Sequence, residues 1–454
     1  MQSRRVSSGT WAAGRCPLVN AFRARCPPPN VRPWATPAGR RWIAFGALAG
    51  VYGFMAVFRL STAVLAEELT AAFGTTAVAL GTLHASFFYV YALAQLPGGV
   101  LTDRAGSRLT VTAGGAAMGL GGVAFALSGT YAEAFAARTL IGLGGSVLFI
   151  AILRFLALWY RPDAFATMSG ITIAVSGFGG ILATTPLAVV VAATSWRSAI
   201  LGAGALTLAL SVVAYALSRD TPEAAGLGPV DGSPAPAVQS LRAVVANVRV
   251  VLRERETWLV GVVLFSGTGV NLTVLGLWGV PYLVQTYGLS VTRASLFTLV
   301  GSAGSIVGPP LIGRLSDAVE RRTALMVLGT GVFALAYAVL AVGQPPLVVV
   351  ALVFFASGFL IGTFALGYTV VKERHGARSS GVATGTVNSI AFLGASLLPT
   401  VMGVALDSYW TGETVGGARV YTLAGYRVAF GVAALAGLVA VASALWLHVR
   451  TERR

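Results

Sequence analysis

From Arg41 onward the chain alternates long apolar runs with short polar breaks. Twelve runs reach or pass the roughly 18 residues that mark a spanning helix: approximately 42–66, 79–101, 108–129, 131–158, 165–191, 197–217, 257–287, 292–313, 323–343, 346–372, 380–407 and 424–448. Each run is continuously apolar, without the ten-residue alternation of lipid-facing strands, so the pattern predicts helices and not a barrel. The longer runs must tilt or protrude. An even count puts both termini on one side.

The polar breaks repeat. "GGVLTDRAGSR", Gly98 to Arg108, is echoed by "GRLSDAVERR", Gly313 to Arg322, with Asp317 lying 214 positions after Asp103. "MSGITIAV" at Met168 is answered by "SSGVATGT" at Ser379, and "SWRSAILGAGAL" from Ser195 by "GYRVAFGVAALAG" from Gly425. The chain therefore divides into an N-terminal tail (1–40), a six-helix half (41–217), a linker (218–256), a second six-helix half (257–449) and a short C-terminal tail (450–454). In the linker, Leu241, Val244, Val245, Val248, Val251 and Leu252 share one helical face. Arg242, Arg249, Arg253 and Arg255 sit mostly elsewhere, which suits a helix lying on anionic lipid, a partner-binding face being the alternative.

Composition agrees: 56% of residues are hydrophobic and 11% charged, too little polar surface for a soluble core of 454 residues. The net charge of +16 is mostly a topology signal. Eight Arg precede the first span, and Arg104, Arg108, Arg161, Arg219 to Arg255, Arg314, Arg321, Arg322, Lys372, Arg374, Arg378 and the three C-terminal Arg all fall on the same side. Only Arg197, Arg293, Arg419 and Arg427 lie opposite, so both termini are expected in the cytoplasm. Charge dispersed among short loops argues against a nucleic-acid partner. Cys16 and Cys26 both lie in the tail, and His84, His375 and His448 have no ligand spacing, so neither a disulfide framework nor a metal site is expected. The tail, Arg-rich, acid-free and with six Pro, is expected to be a disordered extension, with a targeting peptide as the alternative.

"GVLTDRAGSR" resembles the G-x-L-x-D-R-x-G-x-R pattern between helices 2 and 3 of the major facilitator superfamily, and the resemblance extends over about 42–450. It implies an all-α fold of twelve transmembrane helices and a secondary transporter with no cofactor. "FRLSTAV", "FFYVYALAQLPGGVLTDRAG", "GLWGVPYL" and "DTPEAAGLGP" look like the organophosphate and organic-anion branches. Phosphate-ester antiporters of this kind carry one Arg on helix 1 and another on helix 7; Arg59 fits the first, and span 7 has none. "VSGFGGILATTP" lacks the Gly-Pro pair of drug–proton antiporters. A transport-deficient sensor of the same fold and a drug or metabolite efflux pump are the alternatives. An enzyme is not expected, since no nucleophile–base set appears.

In that frame Gly99, Asp103, Arg104, Gly106, Arg108, Gly313, Asp317, Arg321 and Arg322 form a conformational latch. The carboxylates would pair with nearby Arg or with a helix N-terminus of the other half, and the glycines would allow close approach or tight turns. Arginine within hydrocarbon costs at least about 2.5–3.5 kcal/mol, which singles out Arg59, Arg138 and Arg154. Arg59 and Arg138 are expected in the outer halves of their helices. Arg138 and Arg154, sixteen residues apart, differ by about 160° around their helix, so Arg154 is expected to serve as a partner of Asp103. No acid lies well inside a span; Glu373 and Asp407 stand at helix ends. An anionic substrate is then the expected counter-charge of Arg59, helix carbonyls and water being the alternative. Tyr89, Asn271, Trp278, Tyr282 and Asn388 are further substrate candidates, with Tyr91, Gln95, Tyr368 and Lys372 behind them. His84 is expected to be a solvated helix-end residue, a proton carrier being the alternative. A small-molecule substrate, the lipid bilayer of a bacterial inner membrane, and a coupling proton or exchanged anion complete the expected partners.

Overall fold

The computed structural model describes residues 37–228, 230, 241–374 and 377–452. The expectations placed on most of the N-terminal tail, and on Val244, Arg242, His375 and Arg378 as side chains, lie outside what is described. Ile43–Arg454 forms one compact unit.

Among the described residues, twelve helices are long and apolar enough to cross a membrane, and they fall on the predicted runs. They are Gly39–Leu60, Ala77–Gln95, Pro97–Leu127, Tyr131–Trp159, Pro162–Ala193 and Trp196–Leu217 in the first half. The second half holds Arg255–Tyr287, Val291–Val319, Arg322–Val342, Leu347–Arg374, Gly381–Asp407 and Leu423–Thr451. They are numbered here as spans 1 to 12. Their outward Leu and Val, such as Leu93, Val212, Leu335 and Val348, stay exposed, as a surface covered by lipid tails requires. The chain is an integral membrane protein.

Within each half the helices pack backbone to backbone. Spans 8 and 10 touch so closely that a Cβ on Gly358 would fall 1.9 Å from the Gly301 carbonyl oxygen, and one on Gly308 would fall 2.0 Å from that of Phe359. In lipid such contact comes from small residues and dispersion, since hydrocarbon offers no hydrophobic drive between helices. Span 4 starts at a capping box: the Thr130 hydroxyl accepts from the Glu133 amide, and Glu133 accepts in return from the Thr130 amide.

Three features go beyond the hydropathy pattern. Span 1 continues as the helix Thr62–Phe73, beyond the end that has few Arg. Span 7 contains a π-helical turn, Val274–Trp278, a wider coil that shifts the side chains following it around the axis. Between spans 11 and 12, where only a loop was expected, β1 (Trp410–Val415) pairs antiparallel with β2 (Ala418–Tyr421). Gly416 and Gly417 turn this hairpin at φ of 59° and 85°.

The linker holds a helix, Leu241–Arg253. Its apolar face is shared with the protein: Val251 is fully buried, and Val248 packs with Val100 of the first half and Val382 of the second. Val245, Arg249, Val250 and Arg253 remain outward.

Candidate functional site: the seam between the halves

Spans 2 and 11 face each other across the halves, as do spans 5 and 8. Arg59 lies fourteen residues before Phe73, and Tyr91 fourteen after Ala77, so at 1.5 Å per residue both sit about 21 Å below the Arg-poor edge. Arg59 therefore lies in the Arg-poor half of the helix that runs on from Gly39 to Phe73, the half expected of it. Arg59 acts electrostatically on the hydroxyls of Tyr52 and Tyr91, and Tyr52 meets Ser176 of span 5. The Arg59 Nε is buried without a hydrogen-bond partner. Among the described residues no carboxylate forms an ion pair with it. The second half adds Tyr368, close to Tyr91 and donating to Asn388 Oδ1 at 2.7 Å, while Phe392 lies 4.4 Å from the Tyr91 ring.

The other predicted residues sort differently. Tyr89 lies two residues, about 200°, from Tyr91 and is turned towards Tyr131, so Tyr91 takes the place foreseen for it. Arg138 is 1% exposed; its Nε donates to the Leu83 carbonyl at 3.1 Å and its guanidinium lies by the Phe125 ring. Asn271 donates to Ser357, and Tyr282 sits among Tyr287, Tyr426 and Phe430, all inside the second half. Trp278 Nε1 donates to the Pro399 carbonyl at 3.2 Å. His84 is not solvated: it is fully buried, its ring by Phe88 and its edge near Gly276 of the π turn. Lys372 is exposed at the Arg-rich end.

At the Arg-rich end the ion pairs seen among the described residues lie within one half. Arg154 lies 3.6 Å from Asp103, the pairing the helical phase predicts. Gly106, at φ 80°, turns the chain, and Asp220, from after span 6, accepts from the Arg108 amide at 2.9 Å. The Arg108 side chain lies over the Tyr215 ring, and Arg104 is exposed. In the second half, Arg322 bridges Asp317 and Glu373, and Glu256 meets Arg374 and Arg450. Glu256, Asp317, Arg322, Glu373, Arg374 and the exposed Arg321 line a cavity of about 960 Å³. Gly99 and Gly313 face open space, so the close approach expected of them does not occur.

At the Arg-poor end the polar contacts cross the seam. Asp407, last residue of span 11, accepts from the amides of Ala77 and Val78 at 2.9 and 2.8 Å, capping the N-terminus of span 2. Arg419 and the Tyr421 hydroxyl hold the same carboxylate from the hairpin. Burial first, and the Asp407 charge second, push the Tyr421 phenol above its usual range, so it remains a donor. Gln285 ties span 7 to the hairpin through the Arg419 carbonyl and the Tyr421 amide. The backbones meet here as well: a Cβ on Gly81 would sit 2.4 Å from the Pro399 oxygen, and one on Gly403 would sit 2.6 Å from that of Ala77. Thr82 and Thr400 hydroxyls lie 3.3 Å apart. Neither Asp407 nor the hairpin was singled out from the sequence as a contact between halves; the Gly-Gly pair between Val415 and Arg419 is the one local signal for the turn.

The family model for the Major Facilitator Superfamily matches residues 43–399 and 276–454. The chain belongs to the Major Facilitator Superfamily. A member of it named as a probable sulfoacetate transporter, SauU of Cupriavidus necator, is 26% identical over 64% of this chain and 68% of its own. The membrane sensor protein UhpC of Salmonella typhimurium is 25% identical over 80% of this chain and 84% of its own. The crystal structure of a bacterial homologue of the lysosomal transporter Spinster, inward-facing and unoccupied, superposes with a TM-score of 0.74 at 16% identity, covering 90% of this chain and 97% of that one. The major facilitator fold thus accounts for the two six-helix halves and the seam, and the protein is a transporter-family member and not an enzyme.

Proposed function

We propose that the protein carries a small organic anion across a bacterial inner membrane by alternating access, with both termini in the cytoplasm. The Arg-rich end is then cytoplasmic and the Arg-poor end outer, as the loop charge supports. The carrying observation is Arg59: a cation whose Nε is buried without a hydrogen-bond partner, within electrostatic reach of the Tyr52 and Tyr91 hydroxyls and lacking a carboxylate partner among the described residues. A negative ligand supplies the missing charge, and Tyr52, Tyr91, Tyr368 and Asn388 supply hydrogen bonds around it. Arg138 supports the span 2–span 4 contact through its Nε, which donates to the Leu83 carbonyl, while its Nη2 is buried without a partner. The anionic substrate named for SauU supports the same class.

The sensor relative supports a second reading, in which the same site binds an anion without moving it. Binding and flux separate the two. A thermal-shift screen of purified protein against small carboxylates and sulfonates identifies a ligand, because binding only to the folded state raises its stability. Arg59→Gln should then weaken binding by about 2–5 kcal/mol, some thirtyfold and upward, while Arg59→Lys retains part of it. Unchanged affinity in Arg59→Gln removes the anion assignment. Binding without uptake into vesicles favours the sensor.

A further inference from the structure

The closed outer end holds a second carboxylate, treated differently from Asp407. Glu67, on the helix that extends span 1, points into the cleft between the halves that is also lined by Trp278, Gln285, Arg419 and Tyr421. It is half-buried and, among the described residues, has neither an ion pair nor a hydrogen bond. The charged and titratable groups around it do not neutralise it. Glu68 follows it on its own helix, Tyr426 faces it from span 12, and Tyr421 from the hairpin donates to Asp407. Arg419, the cation in the cleft, is taken up by Asp407 at 3.7 Å and by the Trp410 ring at 4.4 Å.

We propose that Glu67 is a proton-binding site of the outer seam, so that closing this end takes up one proton from the outer medium. When the halves part, the cleft opens to water and the carboxylate ionises as an ordinary acid. When they close, the same carboxylate is left between two packed helices and a hairpin with no cation of its own, and the neutral acid is the form that fits. Burial, and then the Glu68 charge, push the Glu67 pKa up from the usual carboxylate range, in line with this geometry. The sign follows from linkage: the closed state binds more protons. Acidification therefore favours closure in the window from the ordinary carboxylate pKa up to the raised one. Below that window both states are protonated, and above it both are ionised. The inference requires that the halves part at this end, but not that the substrate be an anion.

The test uses the full chain with Cys16→Ser and Cys26→Ser and a single reporter, Leu80→Cys. Leu80 is 2% exposed in the same cleft, and a membrane-impermeant maleimide reaches it only when the seam opens. Its labelling rate is divided by that of Thr414→Cys on the exposed hairpin, which cancels the pH dependence of thiol chemistry itself. Lowering the outer pH from about 7.5 into the ordinary carboxylate range, about 4.5, should reduce the ratio. Glu67→Gln, neutral throughout, should hold it low and flat. Glu67→Ala, which removes the acid without an amide, should also be flat. A ratio that does not change with pH in the parent overturns the assignment, as does pH dependence that persists in either variant.

Discussion

The two ends of the seam use similar residues in opposite ways. At the Arg-rich end, Asp103 and Asp317 pair with Arg154 and Arg322 of their own halves, and an apolar contact of Val100 and Val382 with Val248 of the linker crosses between halves. At the Arg-poor end a carboxylate of the second half caps a helix of the first, and the backbones touch at Gly81 and Gly403. Pairs within a half make it move as a body; pairs across the seam decide which end is shut. In this state the Arg-poor end is held by directional contacts across the seam, whereas among the described residues the Arg-rich end shows the apolar contact of Val100, Val382 and Val248.

The largest effect is expected where a cross-seam charge is removed. Asp407→Asn can still accept one hydrogen bond, but it turns an amide group towards the second N–H and loses Arg419. Hydrogen bonds to a charged acceptor are worth about 1.5–3 kcal/mol, so the closed outer end should lose roughly ten- to a hundredfold in population. Labelling at Leu80→Cys should rise accordingly. An unchanged rate would show that glycine packing alone closes this end.

Smaller effects are expected at the other end. Asp103→Asn weakens a partly exposed pair within one half, worth about 0.5–1 kcal/mol after solvent screening, and should lower the melting temperature slightly while leaving Leu80 accessibility unchanged. Asp317→Asn should do less still, since Asp317 is largely exposed and Glu373 keeps hold of Arg322. If Asp103→Asn instead altered access at the outer end, Asp103 would have to leave Arg154 for the other half during the cycle, and the contrast between the ends would belong to this state alone.

The fold was legible because its signals are local. Continuous apolar runs predict the spans, the glycine–aspartate–arginine motif marks the loop between spans 2 and 3, and its echo marks the duplication. Arg154 with Asp103 was also legible, because helical phase alone turns Arg154 away from Arg138. What was not legible depends on residues brought together by the halves. Asp407 meets Ala77 across 330 positions, and nothing near either residue announces it. Tyr89 and Tyr91 are equivalent as letters; packing of span 2 against Phe392 decides between them. His84 looked like a helix-end residue because the hydropathy boundary lies near it, but span 2 starts at Ala77 and the π turn of span 7 covers the ring.

Thr82 with Thr400 gives direct control of opening and closing of the seam at its Arg-poor end. Their hydroxyls, 3.3 Å apart, place cysteine sulfurs within reach of a disulfide in the pair Thr82→Cys and Thr400→Cys. In vesicles containing this pair in the background without Cys16 and Cys26, uptake of the anion found by thermal shift should be abolished on oxidation and return on reduction. Full uptake by the oxidised, demonstrably cross-linked protein would contradict alternating access across this seam.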